Sequence, residues 1–147
     1  MKLPDYITVD EVRRVCKELG IRDWTALEEP AVTIDEAARV LAEVNTGKMP
    51  IDPEQFRAGL DVELEHGTRF KDANVTNNHP LITGMIVLAH MKESLDYYML
   101  LDVAEAEGDL TAAVAAGNTD KIKKYYRKMS EARARLSIAA AKQVYPL

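Results

Sequence analysis

Apolar residues recur along this chain at spacings of three and four, and no stretch shows the sustained alternation of a half-buried strand. The pattern predicts an all-α, single-domain helical bundle of about five to six helices with no sheet. Thr8-Val-Asp-Glu11 and Thr33-Ile-Asp-Glu36 read as capping boxes, each opening a short helix that ends near Gly20 and Gly47 respectively. The two openings look alike but fall short of a repeat. Trp24 and Pro30 lie in the connection between them, and the tryptophan is expected to pack onto the body. Asp52 with Pro53 marks a third start, for a helix expected to stop at Gly67. A polar loop follows over 68–79. Pro80 then opens a long helix that the sequence breaks near Gly108-Asp109, with an alanine-rich segment up to Gly117-Asn118. From Thr119 or Asp120 the chain reads as helical almost to Pro146, with Ile122, Tyr125, Met129, Ala132, Leu136, Ala139 and Val144 on the inner stripe. Within the domain this gives short N-terminal helices over 1–51, a helix pair over 52–107 and a C-terminal helical extension over 108–147.

Two pairs of ligand-type residues stand out against that pattern. Glu63-Leu-Glu-His66 reads E-x-x-H, and His90-Met-Lys-Glu93 reads H-x-x-E. Residues three apart share a helix face, so each pair can aim a carboxylate and an imidazole at one point. If the two helices are antiparallel neighbours, the reversed order sets His66 level with His90 and Glu63 level with Glu93, in the spacing that helix-bundle metal sites use. Both pairs extend apolar stripes: Phe56, Gly59, Leu60, Glu63 and His66 on the first helix, and Ile82, Met85, Ile86, Ala89, His90, Glu93 and Tyr97 on the second. Burying carboxylates in such seams is costly unless they are neutralised, and a divalent cation would neutralise them. The expected metal ligands are therefore Glu63, His66, His90 and Glu93, and the expected cofactor is a divalent iron, zinc or manganese ion. Asp96 could be a further ligand or accept from an imidazole N–H, and Tyr97 could hydrogen-bond a metal-bound water. His79 could cap the helix that Pro80 opens or add a third imidazole, capping or plain exposure being the simpler reading. A buried His–Glu hydrogen-bond network would explain the same residues without a metal.

Composition narrows the field. A chain of 147 residues fits one domain with a sizeable core. The net charge of −5 conceals an asymmetry, because residues 120–147 carry eight Lys/Arg against two Asp/Glu, leaving eleven against twenty-two in the first 119. The basic run Lys121, Lys123, Lys124, Arg127 and Lys128 reads as a solvated helix face; nucleic acid is not expected, since the acidic remainder would repel phosphate. The longest apolar stretch, Leu81 to Ala89, is far too short to span a bilayer, and the first residues lack the apolar region of an export signal, so the expectation is a cytoplasmic protein without a membrane partner. Cys16 shares a stripe with Val12 and Leu19 and reads as a small core residue. Asn74-Val75-Thr76 reads as turn chemistry, and Glu65 as facing solvent or Arg69. A nucleophile elbow, a Walker loop, G-x-G-x-x-G and C-x-x-C are all missing, which removes support for acyl transfer, nucleotide hydrolysis and dinucleotide chemistry.

The stretch Phe56-Arg-Ala-Gly-Leu-Asp-Val-Glu-Leu-Glu-His-Gly67, with Asn74-Val-Thr-Asn77, Thr83-Gly-Met-Ile86, Ala89-His-Met-Lys-Glu93 and Asp96-Tyr-Tyr98, resembles a family of small bacterial and phage proteins known only as a domain of unknown function. Its signature reads V-E-L-E-H-G, then T-G-x-I-x-L-A-H-L-x-E and D-Y-Y. The resemblance covers about residues 52–101 and implies that Glu63, His66, His90 and Glu93 belong to a shared pattern, but it carries no activity with it. The chain departs from the pattern at His79, where the family usually has an acid, in the helix around 33–46 and in the extension after 102.

These observations leave a helix-bundle metal-binding protein as the leading reading, either a metalloenzyme of hydrolytic or oxidative type or a non-catalytic metal module. A homodimer or larger homo-oligomer could bring two half-sites together. The reading of a different class is a metal-free helical scaffold or adaptor, with the basic last helix docking on an acidic protein partner.

Overall fold

The computed structural model describes residues 7–144. Among these residues six α-helices follow in chain order: α1 (Val9–Leu19), α2 (Ile34–Val44), α3 (Pro53–Arg69), α4 (Pro80–Glu93), α5 (Tyr97–Ala115) and α6 (Thr119–Val144), with single 3-10 turns at Trp24–Ala26 and Lys71–Ala73. No strand occurs among the described residues. The expected continuation of the last helix to Pro146 lies outside them. Contacts group the chain into two compact units, the first ending at Glu93 and the second starting at Ser94.

In the first unit, local chemistry sets the helix ends. Thr8 caps α1 by accepting from the Glu11 N–H at 3.2 Å, and Gly20, at φ 66°, turns the chain out of the helix while Gly20 and Ile21 donate back to Lys17 and Cys16. Thr33 and Glu36 form a complete capping box on α2. Glu36 does more than cap. Its carboxylate is buried, accepts two bonds from the Arg22 guanidinium at 2.7 and 2.9 Å, and lies 3.5 Å from the Trp24 indole nitrogen. Burial alone would raise its pKa, but the donors from Arg22 and Thr33 outweigh burial and hold it at about 2. The core then assembles from Trp24, Val40, Phe56, Leu60, Leu64, Val87 and Met91, all 2% exposed or less. Cys16 is buried among them, and burial pushes its thiol pKa up, as suits a small core residue.

Two expectations about this unit change. α3 runs past Gly67 to Arg69, and Gly67 is a buried interior position. On α4 the buried face is Pro80, Thr83, Gly84, Val87, Leu88 and Met91, not the stripe through Ile82, Met85, Ala89 and Glu93, and Met85 is 60% exposed. The reason is that α4 is apolar nearly all round over Leu81 to Ala89, so periodicity alone cannot say which side faces inward. Gly84 decides it. A Cβ there would lie 2.6 Å from a Val40 methyl and 3.5 Å from the Phe56 ring, so only glycine lets α4 come this close to α2 and α3.

In the second unit, α5 runs unbroken through Gly108, and the break comes earlier, over 94–96, where the Asp96 N–H meets the Ser94 hydroxyl at 3.2 Å and the Tyr97 N–H meets the Ser94 carbonyl at 3.1 Å. An exposed helical glycine costs about 1 kcal/mol relative to alanine, too little to break a helix with good helix formers on both sides. Gly117, at φ 63°, ends α5, and the Asn118 side chain accepts from Lys121 N–H at 3.0 Å to open α6. The residues buried on the two helices are Tyr98, Ala106 and Ala113 on α5 and Met129 and Ala132 on α6. Val144, expected on the inner stripe, is 66% exposed.

Candidate functional site

The E-L-E-H-G segment lies on α3, and its glycine gives room to the loop before α4. A Cβ at Gly67 would stand 1.7 Å from Asn78 Oδ1 and 3.0 Å from Asn74 Nδ2, so any other side chain would displace the loop. Asn77 and Asn78 occupy the left-handed region at φ 48° and 60°, which asparagine tolerates better than most residues. Their side chains tie the loop across the unit: Asn77 donates to the Ile7 carbonyl at 2.5 Å and Asn78 to the Trp24 carbonyl at 3.2 Å. His79 caps α4, its Nδ1 accepting from the Ile82 N–H at 3.4 Å, and it is buried, which lowers its pKa below the ordinary imidazole value. The capping alternative is the one the structure contains.

Between this loop, α3 and α4 lies a cavity of about 200 Å³ walled by Glu63, His66, Asn74, Thr76, Thr83 and Ile86, together with Ala73 and Val75. Glu63 stands on the flank of the buried face of α3, its side chain 12% exposed. One carboxylate oxygen lies 3.7 Å from His90 Nε2 and the other 3.8 Å from His66 Nδ1. His66 is the outermost of the three, with 64% of its side chain exposed and its Nδ1 3.2 Å from the Glu63 carbonyl. Three of the four expected ligands are therefore neighbours, with one carboxylate facing both imidazoles.

Glu93 is not among them. It is exposed in the last turn of α4, and no described contact joins it to the other three. No group of three or more His, Cys, Asp or Glu side chains placed to hold a metal ion occurs among the described residues. The expected alignment of His66 with His90 and Glu63 with Glu93 requires antiparallel helices. The register differs: Glu63 faces His90 at 3.7 Å, one turn short of Glu93. Asp96 and Tyr97 belong to the second unit, where Asp96 accepts from Gln143 at 2.7 Å and Tyr97 stands edge-on to Tyr98. Glu65 pairs with Arg69 at 2.6 Å. The roles of Gly67, Asn78 and Thr83 escaped the sequence reading, although the Asn77-Asn78 pair before a His-Pro helix start is a usable sign of left-handed backbone.

The class is an all-α protein whose first unit carries a carboxylate between two imidazoles beside a small, partly polar cavity. No helix among the described residues is long and apolar enough to cross a membrane. The chain belongs to the protein family of unknown function DUF5661, whose model matches residues 12–107. That match takes in α1 to α4 and α5 as far as Glu107, and leaves α6 outside. No curated protein and no solved structure matches the chain.

Proposed function

We propose that the first unit binds a divalent transition-metal ion through Glu63, His66 and His90. The observation that carries this reading is the spacing of the donors. At 3.7 and 3.8 Å the carboxylate–imidazole gaps are wider than hydrogen bonds, and only slightly wider than the roughly 3.4 Å that separates two donors each about 2.1 Å from a tetrahedral ion. The donor set suits iron, zinc or manganese. A small rotation of the exposed His66 ring would bring its nitrogen toward the Glu63 carboxylate. Glu93 is not part of this proposal. Water would fill the remaining positions, which is the arrangement of an open site rather than a closed structural one.

The test is a melting curve of untagged protein with and without added zinc, manganese or ferrous ion. Binding to the native state adds RT ln(1 + [L]/Kd), about 2.7 kcal/mol at a hundredfold excess over Kd, so the melting temperature should rise with metal. Glu63→Gln and His90→Ala should abolish the rise. An unchanged melting temperature, or a rise that survives both substitutions, would favour the metal-free binding module instead.

A further inference from the structure

We infer that the loop over 74–79 is an acid-operated flap, in which protonation of His79 uncaps α4 and frees the loop from the cavity it walls. His79 immediately precedes the first residue of α4 and is 6% exposed. Its Nδ1 accepts from the Ile82 N–H at 3.4 Å, its carbonyl accepts from the Thr83 N–H at 2.9 Å, and its own N–H donates to the Thr76 carbonyl at 3.0 Å. The residue is therefore the joint between the loop and the first turn of the helix. Only the neutral ring can cap. A proton on Nδ1 turns the acceptor into a donor facing another donor, and sets a cation against the positive end of the helix. Burial acts in the same direction, since the charged ring would lose its water.

The charges that act on the ring come from α1. Glu11 favours the imidazolium and Arg14 opposes it, and the two are bonded to each other at 2.8 Å. From Ala73 to Met91 the loop and α4 carry no ionisable side chain except His79 and His90. Burial prevails and holds the His79 pKa below its ordinary value of 6.5. With the folded value below the unfolded one, the contribution of the cap is complete above pH 6.5 and is lost as pH falls through the folded value. Asn77 and Asn78 hold left-handed backbone, at φ 48° and 60°, which costs free energy at any residue but glycine. The loop therefore relies on its ties, the bonds of Asn77 to the Ile7 carbonyl and of Asn78 to the Trp24 carbonyl together with the His79 cap. Asn74 and Thr76 of the loop and Thr83 of the first turn wall the cavity beside Glu63, so release of the cap widens it. None of these bonds involves Glu63, His66 or His90, and the flap does not depend on a bound ion.

Nuclear magnetic resonance of the full chain without added metal, followed from about pH 7.5 to about pH 5, tests this by reading the His79 ring titration and the amide exchange together. The ring should titrate below 6.5. With the same midpoint, and after correction for the intrinsic pH dependence of exchange, protection of the Ile82 and Thr83 amides should fall roughly tenfold or more while that of Val87, in the buried middle of α4, holds. His79→Asn supplies a neutral acceptor at the same cap and should keep the protection constant over the range. A wild type whose Ile82 and Thr83 protection ignores the His79 titration would overturn the inference, as would a ring that titrates at or above 6.5 or an acid loss undiminished in His79→Asn.

Discussion

The two units solve the same packing problem in opposite ways. The first buries large side chains, Trp24, Phe56 and Met91 among them, and fixes their arrangement with buried polar ties such as Glu36 to Arg22 and Asn78 to Trp24. The second buries fewer large side chains, Tyr98 and Met129 beside three alanines, and apart from the Gln143 bond to the buried Asp96 it ties its two long helices at the surface with Glu107–Arg133, Asp102–Arg135 and Asp102–Lys128. Buried ties are specific but fragile, since removing one partner strands a polar group away from water. Exposed ion pairs contribute little each and are screened by salt. The first unit should therefore respond sharply to single changes and the second only weakly. Trp24, the one tryptophan, is buried in the first unit, so its fluorescence reports on that unit while circular dichroism reports on all the helices.

The largest effect should come from acid. Glu36 has a pKa of about 2 when folded and about 4.5 otherwise, so its contribution is fully present above pH 4.5 and lost as pH falls toward 2. The loss approaches about 3 kcal/mol, since each tenfold difference in proton affinity between the folded and unfolded chain is worth about 1.4 kcal/mol. A Trp24 fluorescence melt should show it, and Glu36→Gln should flatten the dependence while lowering stability at neutral pH. Persistence of the full acid dependence in that variant would move the tie elsewhere. Next comes Gly67→Ala. Its methyl group would displace the Asn78 amide, and the expected loss is about 2 kcal/mol despite alanine's better helix propensity. Smallest is Gly108→Ala, where an added Cβ meets nothing within 4 Å. Here the sign reverses, with a gain of up to about 1 kcal/mol in the helical melt. Two helical glycines with opposite responses would be a direct measure of the contrast; the same sign at both would remove it.

Sequence alone determined the features that depend on neighbours in the chain. Thr8, Thr33 and Asp52 cap their helices as their sequence contexts require, Pro53 and Pro80 sit at first helical positions, and Gly20 turns the chain out of α1. The all-α class follows from the same periodicity. The candidate site was legible in part. Glu63, His66 and His90 come together, because the first pair shares one helix and His90 lies on the only other helix carrying a histidine. That Glu63 would face His90 instead of Glu93 was not legible. Tertiary packing decided which side of α4, apolar nearly all round over Leu81 to Ala89, faces inward, through the closeness that Gly84 permits against Val40, and that choice left Glu93 outside the cluster and set Glu63 against His90. Packing also overruled two glycine signals, since Gly67 makes room for Asn78 inside a helix and Gly108 sits in a helix its neighbours sustain. Helix ends are local events, settled by hydrogen bonds within a few residues. The phase and crossing of one helix against another depend on which surfaces fit, and a single strand of sequence does not record that fit.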